Sequence, residues 1–359
     1  MPDDTDPTAD SGPTGGPGST DATDATDRTD RTGGDEIRFP GCDTATAPLG
    51  VGTWAWGDEA VWGMGGYDPA LTEASIAAAW EASIDAGVTL FDTAEVYGKG
   101  DSERIIGRLL AADPARRDQL VLATKFLPSP QKLNVSSALR SALLASIERL
   151  GVERVDLYQI HGPISLRSHA AIAEALASVH QDGLVSAVGV SNYSIREMGG
   201  IHAELASRGL PLASNQIEFS PLRRRPETTG LLTACRTLGV VPLAYSPLGQ
   251  GRLTGKYSAS NPPPGKRTFS AHPMEQVDRV VEVLRRIGEA HDGRSPGQVT
   301  LRWIIAKGAV PIPGAKSANQ AEQNAGALGW TLSDDEVRQI DEVSLEGQRT
   351  LQQRIWQHG

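Results

Sequence analysis

Two cysteines among 359 residues, Cys42 and Cys235, form neither a CxxC pair nor a disulfide framework. That usage fits a reducing compartment, and a cytoplasmic chain is the expectation. The seven histidines show no ligand spacing, so no metal is expected. No apolar run approaches membrane-spanning length, and the first residues lack both the apolar core of a secretory signal and the basic, acid-poor character of a transit peptide. No basic stripe marks a nucleic-acid surface. Membrane and nucleic-acid partners are therefore not expected, and without a coiled-coil seam or long edge strand the oligomeric state is open. Neither glycine-rich nucleotide motif is complete. Gly249-Gln250-Gly251 is followed by Gly255, one residue late for Gly-x-Gly-x-x-Gly, and it lies after a late strand instead of the first. Gly255-Lys256 resembles the end of a P-loop, but Gln250 stands at the upstream glycine position and Tyr257 follows the lysine. A doubly wound sheet, the runner-up architecture, thereby loses its usual cofactor turn.

What the chain has in excess is local. Residues 1–35 hold nine Asp and two Arg with almost no large apolar side chain, and residues 20–32 form a degenerate Thr-Asp repeat. Such a segment cannot bury enough apolar surface to offset the entropy of ordering, so a disordered acidic tail is expected. It carries −7 of the formal −10, so the low pI says little about partners. Residues 36–348 read as one folded domain and 349–359 as a C-terminal extension.

From Ile37 onward, short apolar runs alternate with stretches of helical period. Strands are expected at 47–52, 90–92, 120–125, 155–161, 185–190, 212–217, 240–245 and 310–312. Helices are expected at 68–85, 102–112, 135–150, 168–181, 194–207, 231–238 and 275–291. Another has Ser295 as N-cap and Pro296 at its first position, a short one lies near 319–325, and a last one begins with the acidic turn Ser333-Asp334-Asp335-Glu336. Within 135–150, Val135, Leu139, Leu143, Ile147 and Leu150 line one face, and Gly151 ends it. Eight strand-then-helix units make a single-domain (β/α)8 TIM barrel the economical architecture, with its functional face at the carboxyl ends of the strands. Residues 247–273, rich in Gly and Pro, are too long for an ordinary connection and read as a functional loop.

Chemistry-bearing residues gather at those strand ends. Asp92 closes the second strand and Tyr97 follows in a Gly-bounded loop; Lys125 closes the third strand and His161 the fourth. Each alone has a plainer reading, as a cap, a core aromatic, a solvated cation or a hydrogen-bonded histidine. Together they suggest proton donation. A phenol with a free pKa of about 10 is a poor acid at neutral pH, and becomes useful when a nearby cation stabilises the phenolate. Ser191-Asn192, Asn215-Gln216 and Tyr245-Ser246-Pro247 end the next three strands. Their amides and hydroxyls can hold a carboxamide, and Tyr245 can stack on a flat ring. In the last unit Gly314 lets backbone approach a ligand, the helix opening near Asn319 offers N–H groups to an anion, and Lys316 and Ser317 add a charge and a hydroxyl. Trp54, Trp56 and Trp62 fall in the loop after the first strand; they can plug the core or line an apolar pocket mouth, and the mouth is the favoured expectation.

This order of Asp, Tyr, Lys and His at strand ends resembles the aldo-keto reductases, over about residues 48–345. The resemblance implies a catalytic tetrad of Asp92, Tyr97, Lys125 and His161, with NADPH as cofactor and a small-molecule aldehyde or ketone as substrate. Hydride would pass directly from the nicotinamide to the carbonyl carbon. Tyr97 would donate the proton, Lys125 (paired with Asp92) would stabilise the phenolate, and His161 would orient the carbonyl. Ser191, Asn192 and Gln216 would hold the nicotinamide carboxamide beside Tyr245. Thr53, Trp54, Asp92, Ser246, Pro247, Leu248, Gly249, Gly251 and Lys256 extend the cofactor set, and Lys266 and Arg267 would either reach phosphates or form a solvated loop face. Gly314, Lys316, Ser317, Gln320, Gln323 and Asn324 would serve the adenosine 2′-phosphate end, with Gln323 standing where many members have Glu. Trp54, Trp56, Trp62, Tyr97 and His161 would contact substrate. Gly162 stands where many relatives carry Trp, which should widen the pocket. Two other classes compete: a cofactor-sensing regulatory subunit on the same barrel, with very slow turnover, and a cofactor-free isomerase or aldolase using Lys125 as a Schiff-base amine.

Overall fold

The structure, a computed structural model, describes residues 36–57, 71–264 and 272–359. The expected acidic tail, Trp62, Lys266 and Arg267 lie outside the described residues. Eight parallel strands follow one another around the sheet in chain order. They are β1 (Gly50–Gly52), β2 (Leu90–Asp92), β3 (Val121–Phe126), β4 (Val155–Ile160), β5 (Val185–Ser191), β6 (Leu212–Glu218), β7 (Val241–Tyr245) and β8 (Val310–Pro311). A parallel bridge between Gly52 and Gly314, with the Gly52 amide donating to Pro313 O at 2.9 Å, joins the last strand's exit to the first. The (β/α)8 barrel expected from the alternation is thus the fold. β1 is shorter than the expected 47–52. Its glycines allow the closure: a Cβ on Gly52 would lie 2.8 Å from Ile312 O, and one on Gly50 2.8 Å from the Leu90 side chain.

The period of two along the strands sorts side chains into two cores. One row faces the barrel interior, where Leu90, Val121, Ala123, Leu157, Ala187 and Leu243 pack together. Phe39 and Cys42 join them from the segment bridged between Ile37 and Thr46, and the Cys42 thiol donates to Asp156 O at 3.2 Å. The other row, with Phe91, Leu122, Tyr158 and Val188, packs outward against the helices. Full burial of each large apolar side chain contributes about 1.5–3 kcal/mol, so both layers hold the strand ends firmly.

The helices start where caps place them. They are α1 (Glu73–Asp85), α2 (Asp101–Ala112), α3 (Val135–Leu150), α4 (His169–Gln181), α5 (Ile195–Ala206), α6 (Arg225–Thr228), α7 (Leu231–Thr237), α8 (Met274–Ala290), α9 (Pro296–Ala306), α10 (Ala318–Ala325), α11 (Asp334–Val343) and α12 (Leu351–Trp356). Asn134 caps α3, and Gly151 ends it at a φ of 65°. Ser295 and Ser333 form capping boxes with Gln298 and Glu336, each satisfying two otherwise orphaned N–H groups. α1 begins at Glu73 because Thr72 caps it, later than the expected 68. α11 is not the last helix: Thr350 caps a further one, α12, inside the extension.

Candidate active site

The site forms where the interior row of the strands turns from apolar to polar. Lys125 on β3 is fully buried, and its ammonium donates to three oxygens: Asp92 Oδ2 at 2.5 Å, Thr93 O at 2.8 Å and the Tyr97 hydroxyl at 3.1 Å. Every donor of the cation is thereby used, which is what a buried ammonium requires. Asp92 is held from the other side as well. Its Oδ1 accepts from Gln216 Nε2 at 2.8 Å and Gln159 Nε2 at 3.1 Å. Tyr97 opens a 3-10 turn (Tyr97–Gly100) whose Gly98 and Lys99 both have φ near 55°, and that turn points the phenol back to Lys125.

His161 leaves β4 with its amide bonded to Phe126 O, and its ring meets Tyr97 edge-on at 5.7 Å. Burial, and then the Lys125 charge, push its pKa well below the ordinary 6.5, so the imidazole is neutral at pH 7. Tyr97 departs from expectation. Burial raises its pKa above 10; Lys125 pulls it down, Asp92 pushes it up, and the balance is upward. Burial is the largest cause, and Lys125, already paired with Asp92, offsets it only in part. Lys125 itself stays charged, because Asp92 and Tyr97 outweigh its burial.

The amide and hydroxyl residues converge on the same network. Ser191 Oγ donates to Gln216 O at 3.0 Å, Asn192 Nδ2 to Ser191 Oγ at 3.2 Å, and the Tyr245 hydroxyl to Asn192 Oδ1 at 2.9 Å. Asn192 takes a φ of 63°, a left-handed conformation that asparagine tolerates better than most residues. Thr53 is buried and supports Asp92 through its backbone, with Oγ1 donating to Asp92 O at 3.0 Å. Gln159 was not anticipated. The signal was there, since alternation in β4 puts it on the interior row with Leu157, two residues nearer the strand's carboxyl end. Ser214 Oγ donates to its Oε1 at 3.3 Å.

Two loops extend the rim. After β7, Ser246, Gly249, Gln250, Gly251 and Gly255 all have positive φ, and the buried Arg252 guanidinium donates to Gly249 O at 2.8 Å. Lys256 is exposed, its ammonium 5.5 Å from the Tyr257 ring centroid, and it borders a hollow against Asp278, Val281 and Arg285 of α8. After β8, Gly314, Lys316, Ser317, Gln320 and Asn324 form one hydrogen-bonded turn. Lys316 N donates to Gln320 Oε1 at 2.9 Å, Gln320 N to Ser317 Oγ at 3.4 Å, and Asn324 Nδ2 to Gly314 O at 3.2 Å. Gly314 is exposed, and a Cβ there would meet only Gly52 O at 3.7 Å, so its backbone is open to a ligand. Gln323 is exposed on α10.

Two expectations about the pocket are corrected. Trp56 is fully buried, with its indole N–H donating to Ala315 O at 2.8 Å and its ring 6.3 Å from Phe91. It is a core plug that pins the β8–α10 loop, and does not line the mouth; Trp54 stays half-buried after β1. The site also does not lack an indole beside Gly162. Trp356, from α12, lies 3.3 Å from where a Gly162 Cβ would sit, and its ring is 5.4 Å from His161. Nothing in the local sequence around 356 signals this, because the contact spans the whole C-terminal half of the chain.

The parallel barrel thus carries a buried Lys–Asp pair, a phenol and a neutral imidazole at its strand ends. The family model for the Aldo/keto reductase family matches residues 48–345. The chain belongs to that family and is an NAD(P)H-dependent oxidoreductase. It is 36% identical over 326 residues to the chloroplastic pyridoxal reductase of Arabidopsis thaliana, covering 87% of each chain. It is 32% identical to the NADP(+) aldo-keto reductase yakc of Schizosaccharomyces pombe, over 77% of this chain and 84% of that one. Among solved structures, the aldo-keto reductase from Klebsiella pneumoniae in complex with NADPH aligns at a TM-score of 0.68 and 27% identity, covering 88% of this chain and 96% of that one. The glycerol dehydrogenase from Gluconobacter oxydans aligns at 0.74 and 29%, over 88% and 98%. Among the described residues, no helix is long and apolar enough to cross a membrane.

Proposed function

We propose that this enzyme reduces small aldehydes and ketones to alcohols with NADPH. The observation that carries the reading is the bond from Lys125 Nζ to the Tyr97 hydroxyl at 3.1 Å, within a network that also holds Asp92, Gln159 and Gln216. The residues present suit the cofactor. Ser191, Asn192 and Gln216 offer a carboxamide both donors and acceptors, and Tyr245 stands beside them. Gly314 offers open backbone, and Lys316 and Ser317 offer a cation and a hydroxyl at the start of α10, which suits a 2′-phosphate. When bound, NADPH supplies the hydride that adds to the carbonyl carbon.

The chain's own residues handle the oxygen. Tyr97 donates its proton as negative charge develops there, and Lys125 takes up the resulting phenolate without moving, since it already touches the hydroxyl. Asp92 neither gives nor takes a proton; with Gln159 and Gln216 behind it, it keeps Lys125 in place. The neutral His161 orients the carbonyl by a hydrogen bond. NADPH oxidation by the purified protein over a panel of aldehydes and ketones tests the reading, with Tyr97→Phe as the control. The variant is expected to bind NADPH as the parent does and to lose about 10²–10⁴-fold in kcat, the usual worth of a general acid. Turnover near that of the parent would exclude Tyr97 as the donor.

A further inference from the structure

The first turn of α2 is tied to the ends of β1, β2 and β3 and not to its own amides. The helix has no side-chain cap at Gly100, although Glu103 stands at its third position, where Glu197, Gln298 and Glu336 close capping boxes on α5, α9 and α11. Glu103 turns away instead. It is fully buried, with Oε1 accepting from Thr124 Oγ1 at 2.5 Å and Oε2 from Arg149 Nε at 2.6 Å. Thr124 falls on the outward row of β3, between Ala123 and Lys125 of the interior row. Ser102, equally buried, accepts from Thr93 Oγ1 at 2.8 Å, donates to Thr53 O at 3.1 Å and lies 2.7 Å from Thr53 Oγ1. Each of these threonines leads to the buried ion pair. Thr53 Oγ1 donates to Asp92 O at 3.0 Å, Thr93 O accepts from Lys125 Nζ at 2.8 Å, and Thr124 precedes Lys125 in the chain.

We propose that Glu103, together with Ser102, is a positioning residue for proton donation: the two form a bracket that fixes how far the Tyr97 hydroxyl stands from the Lys125 ammonium. The proposal rests on the reductase reading above. The turn that carries Tyr97 runs straight into α2, so the phenol is held only as firmly as that helix start. Arg149 fills the space against the turn: a Cβ on Gly100, which has a φ of 93°, would lie 2.7 Å from its Cδ. Glu103 therefore grips the support of Tyr97 with one oxygen and the strand of Lys125 with the other. Stability alone does not account for a charge buried here, because apolar residues of similar volume often replace a buried ion pair without loss. What apolar residues lack is direction. The two short bonds of Glu103 set both distance and angle between β3 and the turn, and the Ser102 hydroxyl does the same between the ends of β1 and β2.

The contact held by the bracket is the bond from Lys125 Nζ to the Tyr97 hydroxyl at 3.1 Å. Glu103→Gln keeps the volume and an acceptor for Thr124, but removes the charge that Arg149 pairs with, so the support of the turn is loosened. A misplacement of about 1 Å caused far from the chemistry can lower a rate roughly 10²-fold. The loss falls on kcat and not on cofactor binding. Thr124 and Arg149, the partners of Glu103, lie outside the carboxamide set of Ser191, Asn192 and Gln216 and outside the Gly314–Asn324 turn.

The test is a double-variant cycle in the full chain, assayed with whichever aldehyde the parent reduces fastest. Glu103→Gln is expected to lower kcat by about tenfold or more, with KM and the NADPH Kd within about twofold of the parent. Added to Tyr97→Phe, it is expected to give the kcat of Tyr97→Phe alone, because no hydroxyl is left to place. Ser102→Ala, which leaves the Glu103–Arg149 pair in place, is expected to lower kcat several-fold, again only when Tyr97 is present. It keeps the proposal decisive if Glu103→Gln folds poorly. Parental kcat in the folded variants overturns the proposal, and so does the same fold-loss with and without the Tyr97 hydroxyl, which is what a merely structural role would give. A parent protein that oxidises NADPH with no carbonyl at all sinks the reductase reading, a result distinct from an active parent that is indifferent to Glu103.

Discussion

Lys125→Met is the substitution that separates the two jobs of the buried lysine. Methionine matches much of the side chain's length and carries no charge. In the parent, Asp92 is 2% exposed and neutralised by Lys125 at 2.5 Å; in the variant it keeps only the amides of Gln216 and Gln159 at 2.8 and 3.1 Å. Removing one partner of a buried ion pair costs about 3–5 kcal/mol, because the other charge is left uncompensated. Replacing both charges together is close to neutral when the space stays filled. Lys125→Met is therefore expected to be the least stable of three proteins, and adding Asp92→Asn is expected to recover most of the loss. Urea unfolding of the parent, the single and the double variant measures this from the midpoints at constant slope. Both variants are expected to lose turnover, since Tyr97 has lost the cation that receives its phenolate. A double variant no more stable than Lys125→Met would refute the pairing, and a single variant with parental kcat would refute the role of Lys125.

Lys316→Ala is expected to weaken NADPH binding by about tenfold or more and leave NADH almost unchanged, because only NADPH carries a 2′-phosphate; parallel titrations showing equal losses would remove the basis for NADPH preference. Gly288→Ala in α8 is expected to destabilise, although Gly to Ala in a helix normally gains up to about 1 kcal/mol. The new methyl would lie 1.9 Å from Arg294 O, and overpacking of this kind costs roughly 1–3 kcal/mol, so a raised urea midpoint would contradict the packing. The pH profile of kcat is expected to be flat from about 6.5 to 10. Tyr97 has its pKa above 10, so its acid form persists as pH rises to that point; His161 has its pKa below 6.5, so its neutral form persists as pH falls through it. A limb with an apparent pKa between 7 and 9 would exclude Tyr97 as the group that titrates.

Much of this was legible because barrel units are local. The apolar face of α3 is written in sixteen consecutive residues closed by Gly151, and the helix runs over the expected residues 135–150. Asp92 and Lys125 were legible for a related reason: a charged residue ending an apolar strand run must lie at the strand's carboxyl end. Gln159 was readable in principle from the alternation in β4, but only once the direction of the interior row was known. For Trp56 the sequence left core plug and pocket mouth both open, and Trp356 was not readable at all. Which aromatic plugs the core and which reaches the pocket depends on contacts with Ala315 and Gly162, each far away in sequence. α12 has only six residues, too few to be stable alone, so tertiary contact decides whether it forms.

The upward shift of the Tyr97 pKa bears on how the proposed tetrad would work. If the role of Lys125 were to ionise the phenol at rest, its charge would have to outweigh burial, and with Asp92 at 2.5 Å it does not. The resting phenol stays protonated, which is the form needed to donate. In the proposed mechanism help arrives only as charge develops: the ammonium touches the Tyr97 oxygen, while the carboxylate sits behind it, held by two amides. A fixed dipole of this kind favours the transition state over the ground state, which is where stabilisation raises kcat. Its precision depends on the layer beneath. Leu90, Val121 and Leu157, packed in the interior row, precede Asp92, Lys125 and Gln159 on the same strands, so apolar packing below fixes the polar geometry above.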